Sequence, residues 1–384
     1  MEQTTGTLVA PAAAAVESSA AKPGRLMSLD ALRGFDMFWI VGADALVEGL
    51  RKVGGGAFLQ GVARQLEHVE WAGFHFEDLI FPLFVFMVGV SLVFSLHRTI
   101  ERAGKKAAVL HILRRAVLMY LLGIFYYGGF STAFHEIRLL GVLQRIALAY
   151  LFGGLTYCFL GWRGRVGVCA GLLIGYWALL TFVPVPGIGA GHFEAGRNLT
   201  NWVDKNYLPL RRWDGDYDPE GILSTLPAIA SCLLGVFAGG LLKSRSIEER
   251  RKVMYLLAGG IVCLALGWLW NLQFPVIKKL WTSSFVLVAA GYSSILLAVF
   301  YQIVDVWKYR KWAQPFVWIG MNSITIYLIH NLVDIEGIAK RFVGGDLSKL
   351  YVGNFAELAL ALVSLAITLA ICRFLYERKI FLRL

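Results

Sequence analysis

Residues 79–96 read LIFPLFVFMVGVSLVFSL, eighteen positions without one charged side chain. About 20 apolar residues carry a helix across the roughly 30 Å hydrocarbon core of a bilayer, so 78–97 is expected as a transmembrane span. Pro82 is tolerated in a first helical turn, where its missing N–H had no partner anyway. Asp78 at the start gains from the helix dipole.

Nine further stretches follow the same rule, at roughly 32–50, 113–130, 139–160, 166–183, 222–242, 253–270, 281–306, 313–332 and 355–376. The eighth span in chain order, 281–306, is long enough to tilt or to extend past the bilayer. The composition agrees. Of 384 residues 57% are hydrophobic and 16% charged, with mean hydropathy +0.61, against about 45–50% and about 25% in soluble domains. Ten spans use half the chain, which leaves little room for a soluble domain. The expected fold is an all-α integral membrane protein of about ten transmembrane helices in one bundle. No internal repeat at a fixed period is evident, which weighs against inverted-repeat transporter folds.

Orientation comes from Lys and Arg. With the N-terminus inside, 23 of the 37 fall on inner segments, notably Arg98, Arg102, Lys105, Lys106, Arg114 and Arg115, and Lys243 to Lys252. The longer connections, 51–77, 184–221 and 333–354, then lie outside, and both termini are cytoplasmic. Residues 1–24 are Ala-, Ser- and Pro-rich without periodicity and read as a disordered cytoplasmic tail; residues 25–384 form the membrane domain. The net charge of +11 and pI of about 9.4 would suggest nucleic acid in a soluble protein. Here the charge lies in short runs between spans, so the partner is the lipid bilayer and no nucleic acid is expected. The five cysteines lie in or beside apolar stretches without ligand spacing, and no metal site is expected.

A charge at mid-bilayer costs about 2.5–3.5 kcal/mol on insertion scales, so polar residues near spans are functional candidates. Asp30 and Arg33 stand at i,i+3 and pair on one helix face, and Asp44 follows near the outer end of that span. His68, Trp71 and Asp78 gather just outside the second span. Arg145 sits beside Gln144 inside the fourth, with Asp78 or Asp44 as candidate counter-charges. Asp218 and Glu220 precede the sixth, where capping is the plainer reading. Asn322, Ser323, Tyr327 and His330 fall close to one helical face, where interhelical hydrogen bonding is the plainer reading. One His near a carboxylate suffices for a general base. Trp202, Tyr207, Trp213 and Tyr217, with the acids of the 184–221 loop, suit a sugar or a cation.

In order along the chain stand Ser28-Leu-Asp-x-x-Arg33-Gly, His68-x-x-Trp71-x-Gly, Asp78-Leu-Ile-Phe-Pro82, Gly141-Val-Leu-Gln-Arg145, Asp218-Pro-Glu-Gly and Met321-Asn-Ser-Ile with Tyr327 and His330. With these motifs the chain resembles the heparan-α-glucosaminide N-acetyltransferase family of multispanning acyltransferases, including its bacterial members. The resemblance implies transfer of acetyl from cytosolic acetyl-CoA, the cosubstrate, to the amine of a glucosamine or terminal glucosaminyl group at the outer face. It implies a bacterial inner membrane and allows a homodimer. His68 takes the family's catalytic position, as general base or acetyl carrier, with Asp78 orienting it. Asp44, Trp71, Glu220 and His330 are expected on the acceptor. Asp44 stands where the animal enzymes have asparagine. Arg33, Arg114, Arg115, Arg145, Asn322, Ser323 and Tyr327 are expected on the cofactor or the developing oxyanion. The rival readings are a membrane O-acyltransferase of envelope sugars, an amino-sugar transporter, and a structural membrane protein.

Overall fold

The computed structural model describes residues 26–53, 56–345 and 355–382; the expected tail, 1–24, lies outside them. The chain runs α1 (Met27–Val53), α2 (Ala57–Gln65), α3 (Phe76–Tyr126), α4 (Val142–Phe159), α5 (Trp162–Phe182), α6 (Leu199–Tyr207) and α7 (Thr225–Lys243). It continues with α8 (Glu249–Trp270), α9 (Ser283–Phe300, extended by π-helical Tyr301–Val306), α10 (Gln314–Met321), α11 (Ser323–Leu332), α12 (Ile335–Val343) and α13 (Ala356–Glu377). Among the described residues the extended pairing amounts to two isolated bridges, Ala72–Ile277 and Val185–Gly189.

Seven of these helices are long and apolar enough to cross a membrane: α3, α4, α5, α7, α8, α9 with its extension, and α13. The expected spans 78–97 and 113–130 form one helical run, because the intervening Ala-, Lys- and Arg-rich segment favours helix. Its continuity is broken at Gly104, with φ 80° and ψ 175°, a left-handed position suited to glycine. Val88 and Met119 would lie about 46 Å apart on a straight helix, yet both line one cavity. The helix therefore doubles back at Gly104 into two packed arms. The expected ninth span is likewise two short helices, parted at Asn322 (φ −119°, ψ 20°). The first, α1, is 27 residues long but carries several acids, two arginines and a lysine among its apolar residues.

Close backbone contacts tie the bundle. A Cβ on Gly89 would fall 1.9 Å from the Cys232 carbonyl oxygen, and one on Gly235 2.0 Å from that of Phe86. The first arm of α3 thus lies directly on α7, as small residues permit in membranes. Gly34 and Gly320 do the same for α1 and α10, which sets Arg33 against the α10–α11 break. The N-terminus of α1 is capped from far along the chain: Ser28 N–H donates to Asp305 Oδ2 at 3.0 Å. The apolar stretches of α3, α7 and α9 are mostly buried, whereas in those of α5, α8 and α13 only 22% of residues are buried. Exposed side chains such as Ile174, Ile261 and Leu362 form the kind of surface that lipid tails cover.

Candidate functional site

At one end of the bundle the connections before α3, before α7 and after α8 close over the helices. Their shared apolar support includes Tyr176, Leu199, Phe274, Ile277 and Leu280. Under this cap lies a chamber of about 580 Å³, lined by His68, Glu77, Arg138, Trp213, Glu220, Lys278, Trp281 and Tyr327 among others.

Asp78 is fully buried in the first turn of α3. Its Oδ2 accepts from the backbone N–H of His75 at 3.0 Å and of Val69 at 3.3 Å, the reach-back half of a capping box. The same bonds pin the loop that carries His68. Asp78 Oδ1 faces His68 Nδ1 at 3.2 Å and Lys278 Nζ at 3.5 Å. Nδ1 is thus the ring nitrogen held toward the carboxylate, while Lys278 Nζ lies 3.3 Å from Nε2. The imidazole side chain is 58% exposed and open to solvent. Burial draws the Lys278 ammonium below its ordinary range, against the opposing pull of Asp78.

The opposite wall is an ion cluster. Arg138 donates from Nε to Asp218 Oδ2 at 2.8 Å and from Nη2 to Asp218 Oδ1 at 2.6 Å, and Nη2 also reaches Glu220. Its guanidinium lies 4.7 Å from the Tyr127 ring centre and 4.8 Å from that of Trp213. Burial pushes the Glu220 carboxyl up, against the pull of Arg145 and Arg138. Behind this wall, burial raises Asp204 to about 6, although it accepts from Ile222 and Asp218 N–H. A carboxyl whose folded pKa lies above its unfolded 3.8 supports the fold below that value and loses this support as pH rises through about 6. Between pH 4 and 7 the unfolding temperature of the native chain is expected to fall relative to that of Asp204→Asn, whose amide does not titrate. Parallel thermal melts check this, and curves that stay parallel across the range would refute it.

From this chamber a row of cavities runs through the bundle. Ile40, Phe81, Val142 and Tyr327 separate it from a neck of about 20 Å³. Phe84, Leu143, Ile146, Ser323 and Ile324 separate the neck from a middle cavity of about 240 Å³. Arg33 and Ser91 separate that from an open cavity of about 370 Å³ bearing Arg98 and Arg102. The row follows the first arm of α3 from Arg98 to Glu77, about 31 Å at the helical rise, the thickness of a hydrocarbon core. In the middle cavity Arg115 lies 4.9 Å over the Tyr150 ring. Arg115 Nε and Asn322 Oδ1 are buried without hydrogen-bond partners.

The structure therefore brings His68, Glu220 and Tyr327 to one chamber, with Asp78 buried against His68, and Arg33, Arg115, Asn322 and Ser323 to the cavities behind it. Arg33 pairs with Asp30 at 2.9 Å and donates to the Gly320 carbonyl at 2.6 Å. Trp71 is used within the cap: its indole N–H donates to the Phe193 carbonyl at 2.9 Å. Arg145 is fully buried behind Trp281, 4.8 Å from its ring, and bonded to Ser224. The acids whose charge it feels include Glu220, Asp218 and Asp204. Arg114 is exposed on the second arm of α3, and His330 is exposed in the last turn of α11; neither lines these cavities. The Asp44 side chain lies outside the described residues. Sequence reasoning assigned no role to Lys278, Arg138, Trp281 or Tyr150. A positive charge on a buried, tryptophan-bearing loop was the available signal for Lys278.

A family model described as the catalytic part of heparan-alpha-glucosaminide N-acetyltransferase matches residues 25–266. The human protein named heparan-alpha-glucosaminide N-acetyltransferase is 28% identical over 371 residues, covering 82% of this chain and 54% of its own length. The mouse protein of that name is 26% identical, over 83% of this chain and 55% of its own. The chain thus spans about half the length of these curated relatives.

Proposed function

The chain belongs to the heparan-alpha-glucosaminide N-acetyltransferase family, and from that premise we propose that it moves acetyl from acetyl-CoA across a membrane to an amino sugar. The row of cavities carries this reading. It joins an arginine-lined opening at one end of α3 to a histidine–aspartate pair at the other. In this reading ten segments span a bacterial inner membrane: the seven apolar helices, with α3 counted twice, together with α1 and the α10–α11 pair. Both termini and the Arg98 face are cytoplasmic, and His68 faces outward.

Arg33, Arg98 and Arg102 hold the phosphates of the donor, as guanidinium groups do well. The unpartnered Arg115 Nε and Asn322 Oδ1 suit the amides of its pantetheine arm, which otherwise leave buried polar groups unpaired. The narrow apolar neck, of about 20 Å³, excludes a sugar ring, which favours acetyl transfer over sugar transport. In the chamber His68 Nε2 takes the proton of the acceptor amine as nitrogen attacks the thioester carbon. Asp78 holds the ring in orientation, and Glu220 and Trp213 offer an acid and an aromatic face to the sugar. Lys278 or Tyr327 supplies charge or a hydrogen bond to the oxyanion. An acetyl-His68 intermediate is the alternative route, and trapping of acetyl-enzyme before the acceptor is added would select it.

Purified protein given acetyl-CoA and glucosamine is expected to yield N-acetylglucosamine. Donor-independent uptake of unmodified sugar into liposomes, with no acetylated product, would overturn the reading. Arg98→Ala with Arg102→Ala is expected to raise KM for acetyl-CoA about tenfold to a hundredfold, since a hydrogen bond to a charged group contributes about 1.5–3 kcal/mol. KM for the amino sugar should stay within twofold. Equal changes in both constants would contradict separate binding ends.

A further inference from the structure

The loop after α8 is set in a buried frame. Phe274, Ile277, Leu280 and Trp281 are at most 1% exposed. Its backbone is bridged to the His68 loop, with Gly73 N–H donating to the Val276 carbonyl at 2.9 Å. From this frame the Lys278 side chain enters the chamber. Its Nζ lies 3.1 Å from His68 Nδ1, 3.3 Å from Nε2 and 3.5 Å from Asp78 Oδ1. A primary amine on an alkyl chain therefore rests against the imidazole, where the acceptor amine has to come. The adjacent Lys279 also lines the chamber but pairs with Asp214 at 2.8 Å, and its side chain is the more exposed, at 37% against 21%.

We propose that Lys278 is itself an acetyl acceptor, modified by the enzyme when donor is present and amino sugar is not. The inference rests on reading the chamber as an acetyl-transfer site. The neutral Nζ forms a C–N bond to the thioester carbonyl carbon, and the C–S bond breaks. The nitrogen gives a proton to His68, and coenzyme A leaves as its thiol once that proton is passed on. No electrons change hands, and an acetyl thioester is the sole co-reactant. Burial favours the reaction because it enlarges the neutral, nucleophilic fraction of the amine. Tethering replaces a bimolecular encounter with an intramolecular one. The product is an amide, which does not return its acetyl group. It leaves an acetamide against the base, in the acceptor's place, so the modified enzyme is inactive.

The test is peptide mass spectrometry on the full-length protein after incubation with acetyl-CoA alone, beside an assay of glucosamine acetylation on the same preparation. Acetylation at Lys278 is expected to outpace that at Lys279 at least about tenfold, the low side of what a positioned base contributes. Uncatalysed acetylation would favour the more exposed Lys279. Excess glucosamine should suppress the modification, His68→Ala should abolish its preference for Lys278, and the loss of glucosamine-acetylating activity should track the fraction of Lys278 that is modified. A preparation that acetylates glucosamine yet leaves Lys278 no more modified than Lys279 would overturn the inference while sparing the reading of the site. One that acetylates neither sugar nor lysine would overturn both.

Discussion

Replacing His68 with alanine is expected to lower the rate of amino-sugar acetylation by about 10²–10⁴-fold, the usual contribution of a positioned general base. The fold should survive. The imidazole is 58% exposed, and what it faces, Asp78, is held independently by two backbone N–H groups. Its removal opens no core cavity and leaves Asp78 paired with Lys278. The loss should appear in kcat at saturating donor, because the arginines and the middle cavity are untouched. Asp78→Asn is a companion variant. It keeps an oxygen for the backbone donors but removes the charge that orients the ring, and should cost at least about tenfold, or roughly 1.4 kcal/mol of barrier. Steady-state kinetics with thermal melts of both variants check this. Activity of His68→Ala within a few-fold of native would remove His68 from the chemistry.

The second large effect is on stability. Arg138 is 3% exposed and lies among Asp218, at 0%, and Glu220, at 9%. Arg138→Ala leaves two buried carboxylates without the guanidinium that bonds them and with only the charge of Arg145 nearby, and breaking a buried pair typically costs about 3–5 kcal/mol. Asp218 cannot simply turn away, since it also accepts from the N–H groups of Trp213 and Glu220. Arg138→Lys should recover part of the loss, because lysine restores the charge but neither the two-pronged bond nor the stacking between Tyr127 and Trp213. Adding Glu220→Gln to Arg138→Ala should also recover part of it, by removing one orphaned charge. Chemical unfolding in detergent reads all three. A penalty below about 1 kcal/mol for Arg138→Ala would mean that water already reaches this cluster.

What could be read in advance was what local sequence controls. The apolar run at 79–96 predicts a helix, and Asp78 at its start predicts a group in position to bind the loop that precedes it. His68 and Asp78 meet at 3.2 Å because Asp78 binds the backbone N–H groups of Val69 and His75 in the short loop between them. The turn in α3 was legible as a charged inner connection but not as helix, since Gly104 alone reverses a segment of otherwise good helix formers. Lys278 was not legible. It lies 210 residues from His68 and comes there through the pairing of Ala72 with Ile277, which no local pattern encodes. Arg138 reads in sequence as a loop charge on the outer side, and only its closure with Asp218 and Glu220 makes it a wall. Arg145 was seen as needing a partner, and its surroundings turned out to be Trp281, Ser224 and the Glu220–Asp218 cluster. The four polar residues from Asn322 to His330 looked like one face. The helix break at Asn322 instead turns two of them to the middle cavity and leaves His330 at the surface.

In the proposed mechanism donor and acceptor are served from opposite sides of one membrane through the row of cavities along α3. Reconstitution into sealed proteoliposomes loaded with acetyl-CoA, with glucosamine supplied only outside, tests it. N-acetylglucosamine should accumulate outside while coenzyme A stays within. If product forms only when both substrates share a compartment, the passage does not carry the acetyl group.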